Sequence, residues 1–453
     1  MARISKRKLL LLFGDICLIG LAMLLAFSIS LGRWASFSDF GEKAIPITFL
    51  FLAFLVSFYI FDLYNIRLKF RRTRNLVLIA VALVLTILGT IVFFYATPFS
   101  LSRPDFFLVL ALTGIFILLW RLFFSSFFSL AGQQKNILIV GTGRRADLIS
   151  SLIRSIPEFR LVGFITGHPE KEEFSGKKIL GDYDSLKWIA AQCKVKEIVV
   201  TDSLATDNEL IRSLINCRMQ GITVSDIPKF YENDLQRLPV HDLSERWFLE
   251  SEGFGRLGNR IYNRIKRLSD VLFSFLFLLL SIPADALIAI LIKLTSPGSV
   301  IFRQERVGRN YGPFSLIKFR TMFVTPGRTK PKLTEANDPR VTGIGKILRK
   351  TRLDEIPQLI NIIKGNMSLI GPRPESPYFV KQLMEKIPYY SLRFTIKPGL
   401  TGWAQVNYGY GASIEDAVEK LQYELYYIKN MSLILDVRII LKTIRIMLFG
   451  MGR

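Results

Sequence analysis

Four apolar stretches open the chain, at about residues 9–30, 45–64, 76–95 and 106–130. Each is close to the ~20 residues a helix needs to cross a bilayer, which rules out an ordinary soluble fold for this third of the sequence. The first follows Arg3, Lys6, Arg7 and Lys8, as a signal-peptide core would. Its apolar run is long for that role and no small-residue cleavage site follows, so it reads as an uncleaved anchor. Arg67, Lys69, Arg71, Arg72 and Arg74 crowd the second loop, while the first and third loops hold few basic residues. Positive loops stay in the cytoplasm, so the N-terminus is inside and four spans return the chain to the cytosol. Asp15 and Arg121 fall in or near these spans, where they mark a functional path or, in the commoner case, an arginine snorkelling to the interface.

The rest of the 453 residues leaves room for about two further domains at ~150 residues each. Mean hydropathy is +0.33, above that of a soluble protein but below that of a uniform bundle of spans. A formal net charge of +23 favours an anionic partner: nucleic acid, phospholipid headgroups or a phosphorylated substrate. Nucleic acid fits poorly, because the basic residues flank apolar segments instead of forming a basic domain. Cys17, Cys193, Cys217, His168 and His241 lack metal-ligand spacing, and an odd cysteine count argues against a disulfide framework. Chemistry in this chain must therefore rest on carboxylates, basic residues and a divalent ion.

From Asn136 the pattern turns to soluble α/β. Residues 136–140 are a buried-strand run, followed by Gly141-Thr-Gly143-Arg-Arg-Ala146, a G-x-G-x-x-A turn opening a helix. Further strands are expected at 161–165 and 197–201, with a helix over 183–193 between them. The domain reaches about Asp226, with a connector to about Gly258. No acidic residue ends the second strand where a ribose partner would stand, so the domain reads as vestigial or regulatory ahead of dinucleotide-binding, and NAD is not expected. Tyr183 and Lys187 spell the Tyr-x-x-x-Lys of short-chain dehydrogenases but come too soon after the glycine turn.

Residues 268–294 are again apolar and long enough to span, but Ser281, Pro283 and Asp285 interrupt the middle. Basic residues flank both ends: Arg264, Lys266 and Arg267 before, Lys293, Arg303, Arg306 and Arg309 after. A crossing would carry one cluster to the wrong side. Proline kinks a helix, and Ser281 can bond a freed carbonyl. The expectation is a helix–break–helix hairpin that enters the inner leaflet and returns, with a kinked fifth span as the alternative. A β-hairpin is expected next, from 300–303 and 314–319 around the turn 308–312. Residues 325–339 read as a surface loop. Residues 343–352 are basic and amphipathic, suited to lying on anionic lipid.

The stretch 351–375 then gathers chemistry. Asp354 and Glu355 precede Pro357 and an apolar run, and Arg373 stands between Pro372 and Pro374. Proline tolerates a helix's first turn, so a helix is expected to start near Asp354. A carboxylate there meets free N–H groups and the positive end of the dipole, which keep it ionised and attract phosphate. Arg373, with little backbone freedom, presents a rigid fork of donors. The bland reading, a helix cap plus a turn arginine, suits either piece alone but not the combination. Residues 397–407 come after it, turn-rich and with glycines that permit close ligand approach.

At this point the residues resemble a family. Ser296-Pro-Gly298, Phe302-Arg-Gln-Glu-Arg-Val-Gly308, Lys318-Phe-Arg-Thr-Met322, Leu353-Asp-Glu-Ile-Pro-Gln-Leu359, Lys364-Gly-Asn-Met-Ser-Leu-Ile-Gly-Pro-Arg-Pro374, residues 397–407 and Tyr426-Tyr-Ile-Lys-Asn430…Asp436 occur in order. From about Leu257 onward they resemble the bacterial sugar transferases called monotopic phosphoglycosyl transferases, or polyprenyl-phosphate hexose-1-phosphate transferases. The front half resembles the large form of that family, although some membrane-bound nucleotide-sugar dehydratases share it.

The resemblance implies transfer of a sugar-1-phosphate from a UDP-sugar to undecaprenyl phosphate with release of UMP, at the cytoplasmic face of a bacterial inner membrane, to begin exopolysaccharide, O-antigen or capsule synthesis. It implies Asp354 as covalent nucleophile. Glu355, about 100° further round an ideal helix, suits orienting the acceptor or helping hold a Mg²⁺, which Asp354, Glu355 and the substrate phosphates would share. Arg373 would clamp a phosphate, with Gln405, Asn407, Lys318 and Arg320 as looser substrate contacts, the last two equally suited to facing lipid. Many relatives have Asp where this chain has Glu424, which leaves that carboxylate's role open, as assembly into a homo-oligomer is open. The alternative function is a membrane-anchored NAD-dependent dehydratase or epimerase using Gly141, Gly143 and Ala146. The fold class expected is a mixed α and α/β membrane protein: a four-helix transmembrane bundle (1–132), a Rossmann-like domain with connector (133–257), and an α-rich catalytic domain (258–453) with a small β-hairpin and a re-entrant helix at 268–294 broken at Ser281 and Pro283.

Overall fold

The computed structural model describes residues 6–449 except 42, 65–72, 100, 130–133, 168–177, 202–207, 324–337, 410 and 412. Arg3, His168, most of the basic second loop and most of the expected 325–339 loop lie outside the described residues. The chain divides into two compact units, one of Arg3–Gly132 with Leu441–Leu448 and one holding Gln133–Ile440.

The first unit is four helices: α1 (Lys6–Leu31), α2 (Ala44–Ile60), α3 (Thr73–Ala96) and α4 (Arg103–Ser129). Ile19, Met23 and Phe27 of α1 bury against Phe54 and Phe58 of α2, Ile79 and Ala82 of α3, and Val109 and Ile117 of α4. Leu88, Ile91 and Val92 leave an apolar face outward, the pattern of helices solvated by lipid. Three of the four, and a later helix over Arg260–Thr295, are long and apolar enough to cross a membrane. At 17 residues α2 sits at the short end of that range. This is a membrane protein. Arg121 does not snorkel: its Nη2 donates to Asp15 Oδ2 at 2.5 Å, both side chains are fully buried, and the pair joins α4 to α1. In lipid a charge facing the bundle interior is tolerated when another charge answers it.

The second unit begins with β1 (Lys135–Val140), α5 (Arg144–Ser155), β2 (Phe159–Ile165), β3 (Ile179–Gly181), α6 (Leu186–Gln192), β4 (Glu197–Val200), α7 (Asn208–Met219) and β5 (Thr223–Asp226). All pairings are parallel, in the order β3-β2-β1-β4-β5. Alternation along the strands covers both faces. Leu138, Val140, Ile198 and Val200 pack on α6 and α7, while Ile137, Ile139 and Val199 pack on α5 and on Ile227 and Phe230. This is the strand order of a Rossmann-like sheet. Gly141 takes a positive φ of 107° at the β1 turn, and Ala146 is buried, but nothing lies within 4 Å of where a Gly143 side chain would project. The Tyr183 ring packs beside Gly167 at the end of β2.

A connector carries the short helices α8 (Ile227–Phe230) and α9 (Glu245–Glu250). Its Leu238, Val240 and Leu243 bury in the core of the C-terminal module. That module comprises α10 (Arg260–Thr295), β6 (Ile301–Val307), β7 (Pro313–Phe319), α11 (Gly343–Thr351), α12 (Gln358–Lys364), β8 (Ser368–Ile370), α13 (Pro377–Lys386), β9 (Gly399–Thr401), α14 (Trp403–Asn407), α15 (Ile414–Lys429) and the start of α16 (Leu433–Phe449), as far as Ile440. Strands β6 and β7 form the expected hairpin, longer than the sequence pattern implies.

Ser281 and Pro283 do not interrupt α10, which is helical throughout its 36 residues. Proline removes the single bond its N–H would make, to the carbonyl four residues back, and the Ser281 hydroxyl lies 3.0 Å from the Leu278 carbonyl and 2.7 Å from Asp285 Oδ2. The middle of α10 is apolar and bare, with Leu280 67% exposed, whereas Asp270, Ser274, Ile288 and Ile292 on either side are buried.

Candidate functional site

Asp354 lies between two helices rather than at the start of one. Helix α11 is N-capped by the Thr342 hydroxyl and ends at Arg352 in a left-handed conformation (φ 59°). Leu353–Glu355 then forms a single 3₁₀ turn, and α12 begins at Gln358. The helix start expected near Asp354 is displaced because Arg352 reverses the chain and Pro357 serves as N-cap. Leu353 and Ile356 face the cluster that holds Ile288 and Ile292 of α10 and Leu348 of α11. The carboxylates between them are left to the polar side, so burial of the apolar pair fixes where Asp354 and Glu355 project.

Asp354 is 8% exposed, and among the described residues its carboxylate makes no hydrogen bond and no ion pair. Burial pushes it up to about 6, with the Glu355 charge adding and Lys318, Arg349 and Arg373 pulling the other way. The sequence expectation is that N–H donors keep this group ionised; burial instead raises it, and at about 6 it is still mostly ionised at pH 7. Lys318, half-buried on β7 across from Phe302, is lowered to about 8 by burial, against the pull of Asp354. Its ammonium sits 5.3 Å from the centre of the Phe302 ring. Glu355 differs. Burial would raise it, but Arg373 and Arg352 outweigh that and hold it below its ordinary value. Arg373 donates to Glu355 Oε1 at 2.9 Å, while Arg352 stands 3.9 Å away.

The structure thus gathers four sequence-predicted residues, Asp354, Glu355, Arg373 and Lys318, and adds Arg349, which no motif marks. The amphipathic pattern of α11 assigns Arg349 to lipid, but its Nε donates to Thr321 Oγ1 at 2.9 Å and its charge acts on Asp354. Arg320 is not in this group: its fork donates to the carbonyls of Ser296 and Pro297 at 2.8 Å each, tying the end of α10 to β7. Asn407 donates to the Trp403 carbonyl and Gln405 to the Leu400 carbonyl, each inside its own turn. Glu424 pairs with buried Arg393 through both oxygens, at 2.8 Å each. A side chain on Gly399 or Gly402 would collide with the main chain of Gly371, so these two glycines serve close backbone packing.

Four cations (Lys318, Arg349, Arg352 and Arg373) therefore act on two adjacent carboxylates, one of them without a partner. That arrangement suits a polyanion carrying an electrophile for Asp354. A Mg²⁺ fits here only as a shared ion. Among the described residues no group of three or more acidic, His or Cys ligands converges. One carboxylate without a partner and a Glu355 already bonded to Arg373 would need phosphate oxygens and water to complete an octahedron.

The family model described as bacterial sugar transferase matches residues 261–450, and one described as a CoA-binding domain matches residues 59–228. The chain is 42% identical over 251 residues to a UDP-N-acetylgalactosamine-undecaprenyl-phosphate N-acetylgalactosaminephosphotransferase of Aeromonas hydrophila, covering 55% of this chain and 58% of that protein. It is 41% identical over 182 residues to a UDP-glucose:undecaprenyl-phosphate glucose-1-phosphate transferase of Escherichia coli K12, covering 40% of this chain and 39% of that protein. It is also 39% identical to an exopolysaccharide production protein of Rhizobium leguminosarum, over 40% of this chain and 93% of that one. The chain thus spans 58% and 39% of the length of the first two relatives. None of these three names a dehydratase, and that reading gains no support.

Proposed function

Because the chain belongs to the bacterial sugar transferase family, we propose that it transfers a sugar-1-phosphate from a UDP-sugar to undecaprenyl phosphate and releases UMP. The observation that carries this reading is the partnerless Asp354 carboxylate inside a ring of cations. The donor's diphosphate docks on Lys318, Arg349 and Arg373. Asp354 attacks the phosphorus that bears the sugar, and the bond from that phosphorus to the bridging oxygen breaks, so UMP leaves with the electron pair. An oxygen of undecaprenyl phosphate then attacks the same phosphorus, expels Asp354 and forms the undecaprenyl diphosphate sugar. No proton is needed in either half, and dividing the transfer lets two bulky substrates use one site in turn. A Mg²⁺ held by Glu355 and the donor phosphates would supply charge neutralisation.

The membrane helix is read as re-entrant. Arg267 donates to the Ile362 and Ile363 carbonyls at the end of α12, and Arg320 beyond β7 holds Ser296 and Pro297. Helix α12 lies on β7, where Asn361 bonds Ser315 and Ile317. Both ends of α10 are thus anchored on the same small body of α12 and β7, which supports a bend around the bare 279–287 segment. Single cysteines replacing Arg260 and Arg309 in a cysteine-free chain should then label from one side of the membrane; labelling from opposite sides refutes the hairpin. The catalytic unit belongs, on this reading, at the cytoplasmic face, where nucleotide sugars are made.

The direct test is UMP release from a panel of UDP-sugars by purified protein with undecaprenyl phosphate; no UMP from any of them would refute the activity. Asp354 must be ionised to attack and Lys318 protonated to bind phosphate. The kcat/KM profile should therefore be a bell, falling about tenfold per unit below the Asp354 value of about 6 and again above the Lys318 value of about 8. A flat profile from pH 5 to 9 would remove both groups from the rate.

A further inference from the structure

The loop that presents Arg373 is held by its carbonyls. Pro372 and Pro374 bring no N–H, and each oxygen from 372 to 375 is taken by a different donor. Gly399 N–H bonds the Pro372 carbonyl at 2.8 Å, Arg393 Nη2 bonds that of Arg373 at 2.9 Å, Arg306 Nη1 that of Pro374 at 3.3 Å, and Val307 N–H that of Glu375 at 3.0 Å. Of these donors Arg393 is the one built for the purpose. It is 5% exposed and sits in the 3₁₀ turn Tyr390–Thr395. Its Nε and Nη2 meet both oxygens of Glu424 at 2.8 Å, and its Nη1 donates to the Tyr390 hydroxyl at 2.9 Å. The ring of Tyr390 lies 5.0 Å from the guanidinium and that of Phe394 5.6 Å.

A bidentate carboxylate cancels the charge of Arg393 and, with Tyr390 and the Arg373 carbonyl, engages four of its five N–H donors. What remains of its function is directional: it holds one main-chain oxygen. We propose that Arg393, neutralised by Glu424, is a positioning residue that fixes the main chain of Arg373 so that the exposed Arg373 guanidinium meets the diphosphate of the donor. Arg393 does not touch substrate. The proposal rests on the transferase reading above. It also gives Glu424 a role: its longer arm reaches Arg393 from α15, behind the site.

The test is a double-mutant cycle in the full-length protein in nanodiscs, read as the Kd of UDP, a donor-like probe that cannot react. Arg393→Met should weaken UDP about tenfold in the native background and less than twofold in an Arg373→Ala background, because the group it positions is gone. Glu424→Gln, which keeps shape but loses the bidentate charge, should show the same dependence and serves if Arg393→Met does not fold. Equal losses in both backgrounds would make Arg393 merely structural and overturn the proposal, as would no loss in either. A native protein that binds no UDP and releases no UMP from any UDP-sugar would instead overturn the transferase reading itself.

Discussion

Asp354→Asn should cut UMP release by about 10³-fold or more, because the amide cannot form the bond to phosphorus on which the proposed first step depends. The same substitution should make the protein more stable at high pH. The folded-state value of about 6 lies above the ordinary 3.8, so the folded protein holds this proton more tightly than the unfolded chain does. Stability associated with the neutral acid is present below pH ~4 and lost as the pH rises through 6, a difference of about 3 kcal/mol for two pH units. Asparagine stays neutral throughout. The variant should therefore melt higher than the native protein at pH 8, with the gap shrinking toward pH 4. A dead variant that melts lower at pH 8 would mean that activity was lost through collapse of the site. Full retention of UMP release would remove Asp354 from the chemistry.

Arg373→Ala carries the second large effect, a loss in kcat/KM of about 10²- to 10³-fold, the scale for removing one donor aimed at developing charge. Two consequences add. The diphosphate loses a fork of donors, and Glu355 loses the partner at 2.9 Å that offsets its charge, leaving Arg352 at 3.9 Å. An under-compensated Glu355 then repels the substrate. Arg373→Lys restores the charge without the planar fork and should recover about tenfold of the loss. Because Arg373 is half exposed and its main chain is held by other residues, neither change should move the melting temperature much. Activity within threefold of native for Arg373→Ala would take it out of phosphate binding.

Much of the architecture is legible in the residues alone because the signals are local. Twenty-residue apolar runs identify helices for lipid whatever surrounds them, and the 136–146 strand and glycine turn sit inside one supersecondary unit. The stretch 351–375 also places Asp354, Glu355 and Arg373 together, as the structure does. What escapes is set by partners far along the chain. Arg349 is aimed at the site by Thr321, 28 residues away, and Arg393 by Glu424, 31 residues away. Arg320 looks like a phosphate ligand because its motif is basic, yet its donors close on backbone at Ser296 and Pro297. Strands β8 and β9 have three residues each, too few for a period to show. The Asp354 value rests first on burial, which no spacing of charges encodes.

Incubating the purified protein with a UDP-sugar in the absence of undecaprenyl phosphate tests the central claim most directly. A stoichiometric burst of UMP is expected, with a gain of one sugar phosphate in protein mass that maps to the peptide containing Asp354 and is absent from Asp354→Asn. UMP formed only when the lipid acceptor is present, with no mass gained by the protein at any time, would contradict it.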